Sequence, residues 1–130
     1  MSLNEEDDYD YSLRRITIEL YDALSRRRDL STDVRDEMFD KLTGYMHVDE
    51  IHRFQVGRFY RYLSASSSKL GTGGILVDVV FTDRGTNLLF RAASSGTFAR
   101  MFQMQVNGET LFFQKLTTED KIRLLSEASI

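Results

Sequence analysis

The chain has no cysteine, no proline and no tryptophan among its 130 residues. Without cysteine there is no disulfide, no thiolate zinc site and no cysteine nucleophile, and the redox compartment is not readable. Average proline usage of about 5% would supply roughly six. Their absence excludes polyproline linkers and proline-set turns, so turns fall to Gly, Asn and Asp. No apolar run approaches the roughly 18 residues that a membrane span needs. The start of the chain, with Glu5, Glu6, Asp7, Asp8 and Asp10, is the opposite of a signal or transit peptide. The expected location is intracellular, cytoplasmic or nuclear, with no membrane partner.

What is present suits a single globular domain. Apolar residues make up 42% and charged residues 28%, and the aromatics are nine Phe and six Tyr. A chain of this length can build a core without covalent staples. Residues 1–11 are expected to form an acidic flexible leader. Leu13, Ile16, Leu20 and Leu24 follow at helical spacing after Ser12, which is placed to cap a helix running to about Arg28. Arg26, Arg27 and Arg28 then fall in its last turn, where the helix dipole favours cations. Ser31 or Thr32 opens a second helix, with Val34, Met38, Leu42 and Tyr45 on one stripe and Gly44 near its end. The expectation for 12–47 is a helical hairpin.

His47-Val48-Asp49-Glu50-Ile51-His52 reads as a polar linker. The two histidines are five apart, which matches neither a helical nor a strand pair of metal ligands. No metal and no cofactor is expected. A β-module spans 53–115. Arg53 to Leu63 alternates as a first strand. Ser64 to Gly74 is a loop whose Gly-Thr-Gly-Gly lacks the Gly-Lys-Ser/Thr ending of a phosphate loop and serves as a turn or bulge. Ile75, Val77, Val79 and Phe81 form an apolar stripe. Pairing Thr82 with Asn87 places Phe81 opposite Leu88, Val79 opposite Phe90 and Asp78 opposite Arg91. Ala93 to Arg100 is a Ser/Gly loop. Asn107-Gly108 is a strong hairpin signal, which sets Met104 opposite Leu111, Phe102 opposite Phe113 and Gln103 opposite Phe112. Thr117 to Asp120 opens a last helix over 117–129, with Ile122 and Leu125 on its buried stripe. The fold class is α+β: a helical hairpin, a five-stranded antiparallel small barrel (SH3-like) or curled meander, and a C-terminal helix.

The segments RFYRYL at Arg58–Leu63, KLGTGGILVDVVF at Lys69–Phe81 and FQMQVNGETLFFQKL at Phe102–Leu116 carry a resemblance. They give an aromatic-basic-aromatic strand, a Gly-Gly before an apolar strand, and a closing aromatic segment with Phe-x-Lys. In this order they resemble small uncharacterised barrel proteins of large double-stranded DNA viruses, over about Phe54 to Lys115. The resemblance implies a viral source, with the virion as a further location. It brings no activity and no catalytic residue.

The charge is uneven. Residues 1–50 carry −7, residues 51–116 carry +5 and residues 117–130 carry −1. A basic β-module inside an acidic chain has two readings. It meets an acidic surface of protein, its own or another copy's, or it meets phosphate. The candidate interaction surface is Arg53, Arg58, Tyr60, Arg61, Tyr62, Arg91 and Phe112. Arg binds phosphate and aromatics stack on bases, so this interleaving also suits a single nucleic-acid strand. There is no Gly-x-Ser-x-Gly, Walker A, His-Glu-x-x-His or dinucleotide fingerprint. The expectation is a non-catalytic, self-associating module of protein–protein assembly with no small-molecule substrate; nucleic-acid binding is the alternative.

Overall fold

A computed structural model describes residues 5–92 and 100–128. In chain order the elements are helix α1 (Glu5–Ser25), helix α2 (Thr32–Lys41), strand β1 (Tyr45–Val48), a 3-10 turn (Ile51–Arg53), strands β2 (Phe59–Leu63), β3 (Gly74–Thr82), β4 (Gly85–Ala92), β5 (Met101–Gln105) and β6 (Leu111–Lys115), and helix α3 (Thr118–Ala128). The class is α+β, with an open six-stranded antiparallel sheet ordered β1-β6-β2-β3-β4-β5. The expected five strands become six, because the chain after Gly44 (φ +87°) enters β1 instead of a linker. The chain divides into two compact units, one of Met1–Met46 with Leu116–Ile130 and one of His47–Lys115.

In the helical unit, α1 packs against both α2 and α3. α1 begins at Glu5, so Ser12 is not its cap and residues 5–11 of the expected leader are helical; Met1 to Asn4 lie outside the described residues. α1 also ends earlier, at Ser25. The three arginines therefore lie in the following turn. Arg27 is buried there and donates from Nε and Nη2 to the two carboxylate oxygens of Asp29, at 2.8 and 2.7 Å. This bidentate pair raises the Arg27 pKa and lowers that of Asp29, through the hydrogen bond first and the charges after. α2 starts as expected, with the Ser31 hydroxyl accepting from the Val34 amide at 3.2 Å. Thr117 and Asp120 cap α3 reciprocally, Asp120 N to Thr117 Oγ1 at 3.1 Å and Thr117 N to Asp120 Oδ2 at 2.7 Å. Ile122 is exposed, which corrects its place on a buried stripe, and the side chain of Leu125 lies outside the described residues.

In the β-unit the registers differ from the pattern-based ones. Gly57 (φ +91°) turns the chain before Arg58, so the first strand of the module shortens to Phe59–Leu63. The turn at Asp83-Arg84 pairs Thr82 with Gly85, two residues tighter than expected, and Val79 then faces Leu88. A bulge between Leu76 and Asp78 shifts the ladder again and sets Leu76 opposite Phe90. Asp78 therefore faces Leu89, not Arg91, and its Oδ1 accepts from the Val79 amide at 2.8 Å. The bulge turns Leu76 inward in place of Ile75 and Val77, while Val79 beyond it keeps the expected facing, opposite the buried Leu88. Leu76 is fully buried, while Ile75, Val77 and Phe81 of the expected apolar stripe are 44%, 40% and 73% exposed.

The largest correction concerns Asn107-Gly108. Asn107 does make the local turn, its Oδ1 accepting from the Glu109 and Thr110 amides at 2.9 and 3.0 Å. It does not close a hairpin. β5 pairs with β4, with Phe102 opposite Phe90, and β6 pairs with β2, with Phe112 opposite Tyr62. The chain crosses from one border of the sheet to the far side. The expected Ser/Gly loop before β5 lies at 93–99, outside the described residues, up to Arg100.

The inner face of the sheet is an aromatic core. Phe90 on β4 and Phe112 on β6 stack with ring centroids 6.3 Å apart, and Tyr62 on β2 approaches Phe102 on β5 to 5.9 Å. Each pair is separated by three strand spacings, about 14 Å in a flat sheet. The sheet is therefore strongly curled, with its inner rings closing on each other while the ladder stays open.

Candidate interaction interface on the sheet

The residues expected to form one interaction surface are divided by the fold. Tyr60, Tyr62 and Phe112 point to the inner face. Tyr60 and Phe112 are fully buried, Phe112 at 2% exposure in an edge-to-face contact with Phe54 at 5.4 Å. This removes Phe112 from the expected interaction surface and puts it in the core. The Tyr60 hydroxyl donates to Gln114 Oε1 at 2.7 Å and accepts from the Gln55 amide at 2.8 Å. Burial raises its pKa; the Gln55 amide and the positive charge of Arg58 pull the other way. Tyr62 is half-buried, with its ring over Gly71, where a Cβ would overlap it.

The cations are also separated. Arg61 is half-buried on the outer face, with Nε donating to the Gly71 carbonyl at 3.1 Å. Arg58 sits in the turn before β2, reaching Gln55 Oε1 at 2.9 Å and the Lys115 carbonyl at 3.4 Å. Arg53 is exposed on the 3-10 turn. Arg91 is the one candidate that stands exposed in the middle of a strand face, directly opposite Ile75 on β3 and Met101 on β5.

That juxtaposition defines the surface. The ladder aligns Phe59, Ile75, Arg91 and Met101 in one row across β2 to β5. Asp78, Leu89 and Gln103 make the next row, and Val80, Asn87 and Gln105 the third. Ile75 and Met101 are 44% and 46% exposed beside the Arg91 guanidinium. An apolar row around one guanidinium, with amides beyond it, is the chemistry of surface recognition. The row ends at β5, whose other edge pairs with no strand among the described residues. Its sequence, Met-Phe-Gln-Met-Gln, has no charge and no proline, and its register to β4 has no bulge. Natural edge strands are usually blunted by one of these devices.

Sequence reasoning missed Ile75 and Met101 because it assigned Ile75 to the core stripe and gave Met101, just past the expected loop, no role. The available signal was the charge-free β5 segment itself. The histidines take ordinary places: His52 Nε2 lies 3.1 Å from Glu50, and the His47 ring lies 5.8 Å from that of Phe113. Among the described residues no three His, Asp or Glu gather as a metal site requires, and no helix is long and apolar enough to cross a membrane. The chain matches no protein-family model, and neither curated proteins nor solved structures yield a match.

Proposed function

We propose that this chain is a non-catalytic assembly module that pairs with a second copy of itself through β5. The observation that carries this reading is the uncharged, unbulged edge of β5 beside the exposed row of Ile75, Arg91 and Met101. An antiparallel two-fold pairing centred on Gln103 is self-complementary. It sets Phe102 against Met104 of the second copy on the inner side. On the outer side it sets Gln103 against Gln103, amide to amide, and Met101 against Gln105. No like charges meet. The pairing extends the ladder and satisfies backbone groups that the edge otherwise leaves to water. Five residues of edge pairing make a small contact beside the roughly 1,200–2,000 Å² of a stable interface. The association is therefore weak and concentration-dependent.

Nucleic-acid binding receives less support. Its stacking residue Tyr60 is buried, and Arg58 and Arg61 already hold backbone carbonyls. Sedimentation velocity over a wide concentration range tests the proposal. Gln103→Lys and Gln103→Glu each place like charges at the two-fold and should be monomeric. Mixed in equal amounts they should associate again. A chain that is monomeric at all concentrations overturns the proposal, as does association that neither variant changes.

A further inference from the structure

We infer that the helical unit holds a binding site for a small amphipathic acid, one with an apolar body and a single anionic head. A cavity of about 400 Å³ lies among α1, the end of α2, the start of β1 and the start of α3. That volume is within the range of small-molecule sites, roughly 300–1,000 Å³. The expectation of no small-molecule partner took no account of it, because its walls come from four separate stretches of chain.

Leu20 and Leu42 are fully buried in the lining, and Phe39, Tyr45 and Leu116 are half-buried there. Gly44 is part of the lining, and an added Cβ there would meet nothing within 4 Å. The backbone at this end of α2 is already paired. Leu42 N bonds to the Met38 and Phe39 carbonyls, Tyr45 N to the Leu42 carbonyl, and Leu116 N to the Gly44 carbonyl at 2.8 Å. Apart from the hydroxyl-bearing Thr17, Thr43 and Tyr45, the other lining side chains besides Lys121 are apolar, and the lining suits a hydrocarbon or aromatic body.

One charged residue lines the cavity among the described residues, Lys121. The surrounding unit is acidic, with nine Lys and Arg against fifteen Asp and Glu over 1–46 and 116–130. A lone cation at an apolar cavity in an acidic setting selects an anionic head over a cationic one. Lys121 is exposed on the first turn of α3, so it meets the head at the mouth while the body enters the cavity.

The test uses the full chain with decanoate, decanol and decyltrimethylammonium as probes, read by amide chemical shifts. Decanoate should shift Thr43, Gly44 and Lys121 and bind more tightly than the cationic probe. Lys121→Met should weaken decanoate about two- to fivefold, the size of an exposed ion pair, and leave decanol unchanged. Thr17→Trp, at an exposed lining position of α1, should block all three. Absence of shifts at Gly44 and Lys121 with millimolar decanoate overturns the inference. Equal decanoate affinity in Lys121→Met overturns the assignment of the anionic head. Sedimentation is a separate readout, so either proposal can fail alone.

Discussion

Tyr60 and Gln114 meet across β2 and β6 in a buried hydrogen bond of 2.7 Å, the phenol donating to Oε1. The same phenol oxygen accepts from the Gln55 amide. One hydroxyl thereby ties the turn before β2 to the strand beyond it. Tyr60→Phe keeps the ring packing against Phe54 and Phe90 and removes only this oxygen. It leaves the buried Gln114 amide without its donor and should cost about 1–3 kcal/mol in urea unfolding. Adding Gln114→Met should recover part of that loss, because an apolar pair is better than one orphaned group. A double mutant that is simply additive would show that the bond contributes nothing of its own.

The same group predicts an alkaline limit. Burial raises the Tyr60 pKa above its ordinary value of about 10. The folded state then keeps a proton that the unfolded chain releases. The stabilisation is fully present below about pH 10 and is lost as pH rises through the higher folded value. Unfolding midpoints followed from neutral to alkaline pH should fall more steeply for the natural chain than for Tyr60→Phe. Parallel curves would remove Tyr60 as the cause.

Features set by a few neighbouring residues were legible in the sequence. Ser31 caps α2, Thr117 and Asp120 cap α3, and Asn107 makes its turn. Partner choice was not legible. The Asn107 turn has the chemistry of a hairpin, yet β5 and β6 each find another neighbour, because inner-face packing of Phe90, Phe102 and Phe112 decides the pairing over long range. β3 is apolar on both faces, so alternation alone does not choose a side. Of the expected interaction residues, Arg91 stands on the exposed sheet face, while Phe112 was misplaced with its strand.

The bulge gives a sharp pair of substitutions. Leu76 is fully buried opposite Phe90, and its neighbour Val77 is 40% exposed. Leu76→Ala should cost about 2–5 kcal/mol, as for a large core residue. Val77→Ala should cost no more than about 1 kcal/mol, the span of strand propensity. The uninterrupted alternation read from the sequence expects the reverse order. Chemical denaturation of the two variants distinguishes the two registers directly.

Gly73 and Gly57 both adopt positive φ, +87° and +91°, but only one is crowded. A Cβ at Gly57 would meet nothing within 4 Å, whereas one at Gly73 would overlap the Tyr60 carbonyl oxygen. Gly57→Ala should therefore lose only the conformational term, about 1–2 kcal/mol. Gly73→Ala loses that and must also push apart the entry to β3 and the backbone of β2. Its cost should exceed that of Gly57→Ala by well over 1 kcal/mol, a margin set by overpacking, with amide shifts spreading through Tyr60 and Ile75. Equal costs would mean that the Gly-Thr-Gly-Gly turn is required for its dihedral angles alone, and not for the close approach of the two backbones.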